Sequence, residues 1–235
     1  MKTVSIVSCA RQPSYLYQTL SSFTEPGIEV ELFFQGQEPP EMLECVLGYQ
    51  PEPASGLYDT IAALHFEYTC QIPRVYHTEK LFDKVHLNGP YNYAETLLHT
   101  LDGLILEDDV IVSKNFMGYV AEVEKLVPDE NSIVALYSLY NRTSDNQLRL
   151  VPFPIARFAN TQAMLYPVWV ARAFGQFILD RFSTAPYDMV LRDFCREYNL
   201  KIYATNYSLV QHYGIITTGL GLHHRATNFI DDFIL

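Results

Sequence analysis

Positive charge is scarce in this chain: 16 Lys and Arg stand against 27 Asp and Glu, a formal net charge of -11. Nonspecific binding to nucleic acid or to an anionic membrane rests on neutralising phosphates with Lys and Arg, so neither is expected. Long apolar runs are missing as well. Nowhere do about 18 apolar residues follow one another, which excludes an evident transmembrane helix. The opening Met1-Lys2-Thr3-Val4-Ser5-Ile6-Val7-Ser8 has one positive charge and too short an apolar run for a signal peptide. A soluble, cytoplasmic protein is the expectation. The four cysteines, Cys9, Cys45, Cys70 and Cys195, are scattered without a Cys-x-x-Cys pair. That signals neither a zinc site nor a disulfide scaffold, and leaves reduced, mostly buried thiols. Internal repeats, low-complexity tracts and interdomain linkers are absent too. Two sequons, Asn141-Arg142-Thr143 and Asn206-Tyr207-Ser208, would matter only in a secretory lumen and are read as chance.

What is present is apolar and aromatic. Hydrophobic residues make up 49% of the 235 positions and charged ones 18%, so a packed globule with a full core is expected, in one domain spanning 1–235. Thr3 to Cys9 reads as a buried strand. Leu16, Leu20 and Phe23 repeat at helical spacing after Pro13, and Pro26-Gly27 ends that helix. Ile28, Val30, Leu32 and Phe34 alternate as a second strand. Strand, helix and strand in this order predict a βαβ unit and a parallel sheet. Four prolines (Pro39, Pro40, Pro51 and Pro53) make the stretch from Gly36 to Gly56 irregular, a loop with a short helix inside.

A helix is predicted from Asn92 to Leu101, with Ala94, Leu97, Leu98 and Leu101 on one face. Leu104-Ile105-Leu106 follows as a strand, and Ser113 is placed to cap a helix carrying Phe116, Val120, Val123 and Val127. Further strands are expected at Ile133–Leu139, Thr161–Tyr166 and Lys201–His212. Helices are expected at Val168–Phe182 and after Pro186, where Tyr187, Val190, Leu191, Phe194 and Tyr198 share an apolar face. The fold class is therefore α/β: a mixed, mainly parallel, Rossmann-like sheet flanked by helices.

The chemistry concentrates in Glu107-Asp108-Asp109, three carboxylates directly after an apolar strand. Charges there are costly unless compensated. Ligands of open α/β sheets bind beyond the carboxyl ends of the strands, so the triplet should face a site, and Ser8 and Arg11, at and just beyond the end of the first strand, should line it. Hard carboxylate oxygens suit Mg²⁺ or Mn²⁺, which in turn binds a diphosphate. The same triplet also suits an acidic loop capping the next helix.

Several segments together resemble a known family. Val4-Ser5-Ile6-Val7-Ser8 with Arg11 and Tyr15-Leu16-Tyr17-Gln18-Thr19-Leu20 is similar to the opening of GT-A glycosyltransferases, where the nucleotide site begins. Asn92-Tyr93-Ala94 through Glu107-Asp108-Asp109-Val110-Ile111-Val112 resembles the surroundings of the EDD motif in the N-acetylglucosaminyltransferase IV and I enzymes. Ser208-Leu209-Val210-Gln211-His212-Tyr213-Gly214 is similar to the SLxQHxG stretch of the transferase IV group.

The resemblance implies a metal-dependent, inverting glycosyltransferase with Mn²⁺ or Mg²⁺, a nucleotide-sugar donor of the UDP type and a hydroxyl acceptor. A nucleotide-sugar half at about 1–112 would precede an acceptor half at about 113–235. Asp109 would be the direct metal ligand, with His212 joining it at the metal or diphosphate. Glu107 and Asp108 would contact the ribose or donor sugar, and Ser8, Arg11 and Asn92 would belong to the nucleotide side. Asp188 matches the general base, with Asp193 as competitor.

For single residues simpler roles stay open. His212 also suits an internal hydrogen bond, Arg11 a surface cation, and Asp188 a first-turn residue favouring the helix dipole. No counterpart of the membrane anchor, stem and lectin-like extension of the Golgi enzymes is expected, so a glycan, a small molecule or a modified DNA base all suit as acceptor. Other readings of the residues are a metal-dependent phosphohydrolase, a nucleotidyltransferase and a noncatalytic sugar-nucleotide or glycan-binding module.

Overall fold

A computed structural model describes residues 3–9, 15–35, 71–78, 85–138, 147–181, 185–213 and 225–232. Arg11, Pro13, Cys45, Cys70, Asn141 and the expected loop from Gly36 to Gly56 lie outside the described residues.

The strands are β1 (Thr3–Cys9), β2 (Glu29–Gln35), β3 (Gln71–Thr78), β4 (Leu104–Glu107), β5 (Val110–Val112), β6 (Ser132–Ala135), β7 (Leu150–Phe153), β8 (Ala163–Leu165), β9 (Lys201–Thr205) and β10 (Val210–His212). Eight of them form one sheet in the order β3-β2-β1-β4-β8-β6-β9-β7. β8 pairs antiparallel with β4 and β6, and β7 with β9, while the remaining pairs are parallel. The expected mixed, mainly parallel sheet is therefore the observed one. β5 and β10 form a separate antiparallel ribbon.

Helices cover both faces, and the period of two in the strands decides which residue meets which helix. Val4, Ile6, Leu104, Leu106 and Val134 pack with α1 (Leu16–Ser21) and α3 (Phe116–Leu126). Val7, Ile105, Ile133 and Ala135 point the other way, into a core with α2 (Val85–His99), α4 (Val168–Arg181) and α5 (Tyr187–Glu197). Both edge strands carry a proline, Pro73 in β3 beside a register shift and Pro152 in β7. An edge is where a sheet tolerates a residue without an N–H.

Several boundaries differ from expectation. α2 begins at Val85 and runs through Pro90, where a proline signals a break, because tertiary burial of Asn88, Tyr91 and Tyr93 outweighs the lost hydrogen bond. It stops at His99, leaving Leu101 48% exposed instead of on its apolar face. Ser113 does not cap α3 with its side chain. It accepts the Phe116 N–H on its carbonyl oxygen, and Asn115 is the N-cap residue. β6 ends at Ala135, short of the expected Leu139, and the β-rich run from Lys201 splits into β9 in the sheet and β10 in the ribbon. β3 and β7 had no counterpart in the sequence reading, since Pro73 and Pro152 interrupt their patterns.

Gly103 joins α2 to β4 with φ of 70°, and a Cβ there would lie 2.0 Å from the Tyr166 carbonyl oxygen. Left-handed backbone alone costs a side chain about 1–2 kcal/mol, and the clash adds to it. Gly103→Ala is expected to lower stability by about 2 kcal/mol or more in urea unfolding; an unchanged midpoint would contradict this account. Asn206, in the second sequon, is buried and clamps the chain, accepting the Arg149 N–H at 2.7 Å and donating to the Gln147 carbonyl oxygen at 2.9 Å.

Candidate functional site

β1 and β4 are parallel neighbours, with Val7 opposite Glu107, so their carboxyl ends open at the same edge of the sheet. From Glu107 the chain turns through Asp108 and Asp109 and enters β5, which puts one carboxylate on the sheet and two in the turn. All three acquire distinct partners.

Asp108 is buried and accepts from the Ser8 hydroxyl on Oδ2 at 2.6 Å. Asn92 of α2 donates to the Ser8 carbonyl oxygen at 2.8 Å, and Thr19 of α1 donates to the Asp108 carbonyl oxygen at 2.8 Å. Ser8, Asn92 and Asp108 are thus one linked set at the end of β1. Asp109 is only 4% exposed, and its Oδ2 lies 3.3 Å from Nε2 of His212, itself 3% exposed. The ribbon makes this meeting possible by setting His212 opposite Val110. The Tyr213 N–H donates to the Asp109 carbonyl oxygen at 3.1 Å, and the Tyr137 ring stands edge-on to His212 at 6.3 Å.

Glu107 turns towards the α2 and α5 side. Its Oε1 accepts from Thr161 Oγ1 at 3.1 Å and from the Tyr187 hydroxyl at 2.6 Å. Tyr187 is in turn stacked on Tyr93, with ring centroids 4.3 Å apart and planes 9° from parallel. The Tyr93 hydroxyl meets that of Tyr166 at 3.0 Å. Burial holds both the Tyr93 and Tyr187 phenols well above their ordinary range, so they act as neutral hydrogen-bond groups.

Burial, and then the negative charge of Asp109, push the Glu107 carboxyl up to about 7, against the opposing effect of the Tyr187 hydrogen bond. A carboxyl raised on folding adds no instability below its unfolded value of about 4.3. As pH rises towards 7 the folded state holds protons that the unfolded chain has released, so stability falls, and above about 7 the whole penalty applies. Glu107→Gln removes that penalty and can still accept both hydrogen bonds. With EDTA present, its Tm is expected to exceed the parent's by a few degrees at pH 8, the difference vanishing towards pH 4.5. A differential scanning fluorimetry series across that range checks the prediction, and a lower Tm at pH 8 would count against it.

Asp188 follows Tyr187 in the first turn of α5, half-buried, with Oδ1 accepting the Met189 N–H at 2.8 Å. Burial raises its carboxyl above the ordinary range, opposed by the Met189 N–H and the Arg192 charge. Asp193, five residues on and so about 140° around the helix, is exposed and pairs with Arg196 at 2.9 Å. The structure therefore gathers Ser8, Asn92, Glu107, Asp108, Asp109 and His212, and joins Asp188 to them through its neighbour Tyr187. Thr19, Thr161 and Tyr187 were not among the predicted site residues. Helical spacing puts Tyr187 on the apolar face of its helix, where its ring does pack. Its polar tip beside Asp188 was the one available signal.

Among the described residues no three His, Cys, Asp or Glu side chains form a cluster able to hold a metal ion. Asp109 and His212 offer two donors, a carboxylate oxygen and an imidazole nitrogen. Mg²⁺ in nucleotide sites is commonly held by one or two carboxylates plus substrate phosphates, and imidazole is a ligand of transition metals. The pair fits an ion shared with a diphosphate and does not amount to an all-protein cage.

No helix among the described residues is long and apolar enough to cross a membrane. No protein-family model matches the sequence, and no curated protein matches it. Solved structures do match in shape. Residues 1–349 of S. aureus TarS align with 87% of this chain and 58% of theirs, at 11% identity and a TM-score of 0.50. The apo-form glycosyltransferase GlyE of Streptococcus pneumoniae TIGR4 aligns with 86% of this chain and 44% of its own, at 12% identity and a TM-score of 0.48. UTP-bound UGPase from Acinetobacter baumannii aligns with 87% and 85% of the two chains, at 10% identity and a TM-score of 0.43. The chain thus spans less than two thirds of the TarS and GlyE structures. Its mixed, mainly parallel sheet with helices on both faces is the expected GT-A fold, which it shares with the TarS structure.

Proposed function

We propose that this protein is a divalent-metal-dependent glycosyltransferase that moves a sugar from a nucleotide-sugar, of the UDP class, to a hydroxyl acceptor with inversion at the anomeric carbon. The observation that carries the reading is the buried pair of Asp109 and His212 at 3.3 Å, set beside Asp108 and Glu107 at the carboxyl ends of β1 and β4. Two buried side chains of metal-ligating type, with no third beside them among the described residues, suit an ion that arrives with a phosphate ligand.

Asp109 and His212 would hold Mn²⁺ or Mg²⁺ against the diphosphate, where the ion neutralises charge on the departing nucleotide. Ser8, Asn92 and Asp108 form the rigid end of β1 against which the nucleotide side of the donor would lie, and Arg11 is assigned to that side from the sequence alone. Glu107, held by Thr161 and Tyr187, orients the donor sugar. Asp188 accepts the proton of the acceptor hydroxyl as its oxygen bonds to the anomeric carbon and the bond from that carbon to the phosphate oxygen breaks. A carboxyl raised by partial burial is better matched to this task than an ordinary one, and the exposed, ion-paired Asp193 is the weaker candidate.

The direct test is a thermal-shift screen of UDP-, GDP- and CMP-sugars with and without Mn²⁺, since a ligand of the native state raises Tm by mass action. A Mn²⁺-dependent rise with a UDP-sugar is expected, followed by release of nucleoside diphosphate and formation of a glycoside. Release of inorganic phosphate or pyrophosphate instead would indicate a phosphohydrolase or nucleotidyltransferase.

A further inference from the structure

Two parts of the proposed site come from distant stretches of chain, the triplet after β4 and the first turn of α5, and one side chain touches both. Tyr187 is the first residue of α5 and the immediate neighbour of Asp188. Its hydroxyl donates to Glu107 Oε1 at 2.6 Å, and its ring lies flat on Tyr93 of α2 at 4.3 Å. Pro186 occupies the N-cap position of α5 and makes no side-chain hydrogen bond there, while the Asp188 carboxylate accepts the first-turn Met189 N–H at 2.8 Å. Tyr187 is the first-turn side chain that ties this end of α5 to the triplet after β4.

We infer that Tyr187 is a positioning residue, whose hydroxyl ties the first turn of α5 to Glu107 and thereby sets Asp188 relative to the donor sugar. The inference rests on the glycosyltransferase reading and on Asp188 as the base. The Tyr93 stack holds the ring in place, so removing the hydroxyl alone releases the tie while leaving the packing intact. A base displaced by about 1 Å from the reacting hydroxyl costs on the order of 10²-fold in rate, and nucleotide contacts on the β1 side are not touched by the change.

The test uses Tyr187→Phe, Asp188→Asn and the double variant. UDP release is measured from UDP-glucose, UDP-galactose and UDP-N-acetylglucosamine with Mn²⁺, water serving as acceptor, and UDP binding with Mn²⁺ is measured by calorimetry. Tyr187→Phe is expected to bind UDP within about 2-fold of the parent while kcat falls about 10- to 100-fold. In the Asp188→Asn background the same change is expected to cost nothing further, because no base is left there to be misplaced. A purely structural role would lower the rate by the same factor in both backgrounds, and that result overturns the inference. So does a Tyr187→Phe variant with the parental kcat. If Asp188→Asn itself keeps the parental rate, the base assignment fails and takes the inference with it. A parent protein that turns over none of the three donors overturns the inference together with the transfer reading. Circular dichroism of Tyr187→Phe guards against a folding loss, and an unfolded variant is replaced by Glu107→Gln, of whose rate loss the part that disappears in the Asp188→Asn background reports the tie and the remainder reports the donor-sugar contact.

Discussion

Asp109→Ala is expected to remove the Mn²⁺-dependent part of nucleoside diphosphate binding and to leave the fold intact. Among the described residues Asp109 is one of two candidate metal donors in contact, its carboxylate facing His212 at 3.3 Å. Disturbing even the residues behind a metal ligand costs 10- to 100-fold in affinity, so the loss of the ligand itself should reach about 100-fold or more. The fold should survive because Asp109 lies in the turn after β4, outside both hydrophobic cores. Its backbone carbonyl, which accepts from Tyr213, is kept in the variant. Removing its charge also relieves Glu107, whose carboxyl it helps to raise. Calorimetry of UDP binding at fixed Mn²⁺, beside a Tm measurement in EDTA, separates the two quantities. Unchanged Mn²⁺-dependent affinity would falsify the assignment of Asp109 as ligand.

Asp188→Asn is expected to depress kcat by about 10²- to 10⁴-fold, the usual range for loss of a general base. Donor affinity should stay nearly constant. A base takes its proton only in the transition state, so its removal acts on turnover far more than on ground-state binding. Asn keeps the side chain's size and an oxygen able to accept the Met189 N–H, so a large loss points to the proton and not to the packing of α5. Asp193→Asn is the internal control: its carboxylate is exposed and bridged to Arg196, and the change should leave the rate close to the parent's. Full activity in Asp188→Asn with loss in Asp193→Asn would move the base to the other position. Retention at the anomeric carbon with neither change felt would overturn the inverting mechanism.

Much of the candidate site could be read from the chain because its signals are local. Three carboxylates directly after an apolar strand announce a costly burial wherever that strand pairs, and Glu107, Asp108 and Asp109 are indeed placed at the carboxyl edge of β4. Ser8 was legible for the same reason, since parallel strands open their carboxyl ends on one side. Thr161 and Tyr187 were not. A threonine just before a strand and a tyrosine on an apolar helix face are ordinary occupants of those positions, and only the approach of Glu107 makes donors of them.

Local patterning is enough to send Leu104 and Leu106 to one core and Ile105 to the other, to lay the helical stripes of α3, α4 and α5, and to place the acidic turn that follows β4. Each of these depends on residues within a few positions of one another, where backbone geometry fixes which side chains share a face. Tertiary structure alone decided that β8 inserts between β4 and β6, that β10 leaves the sheet to pair with β5, and that His212 consequently meets Asp109. It also decided which carboxylate each hydroxyl serves. Pairing between distant strands and hydrogen bonds across elements depend on long-range packing, which no local pattern of apolar and polar residues records.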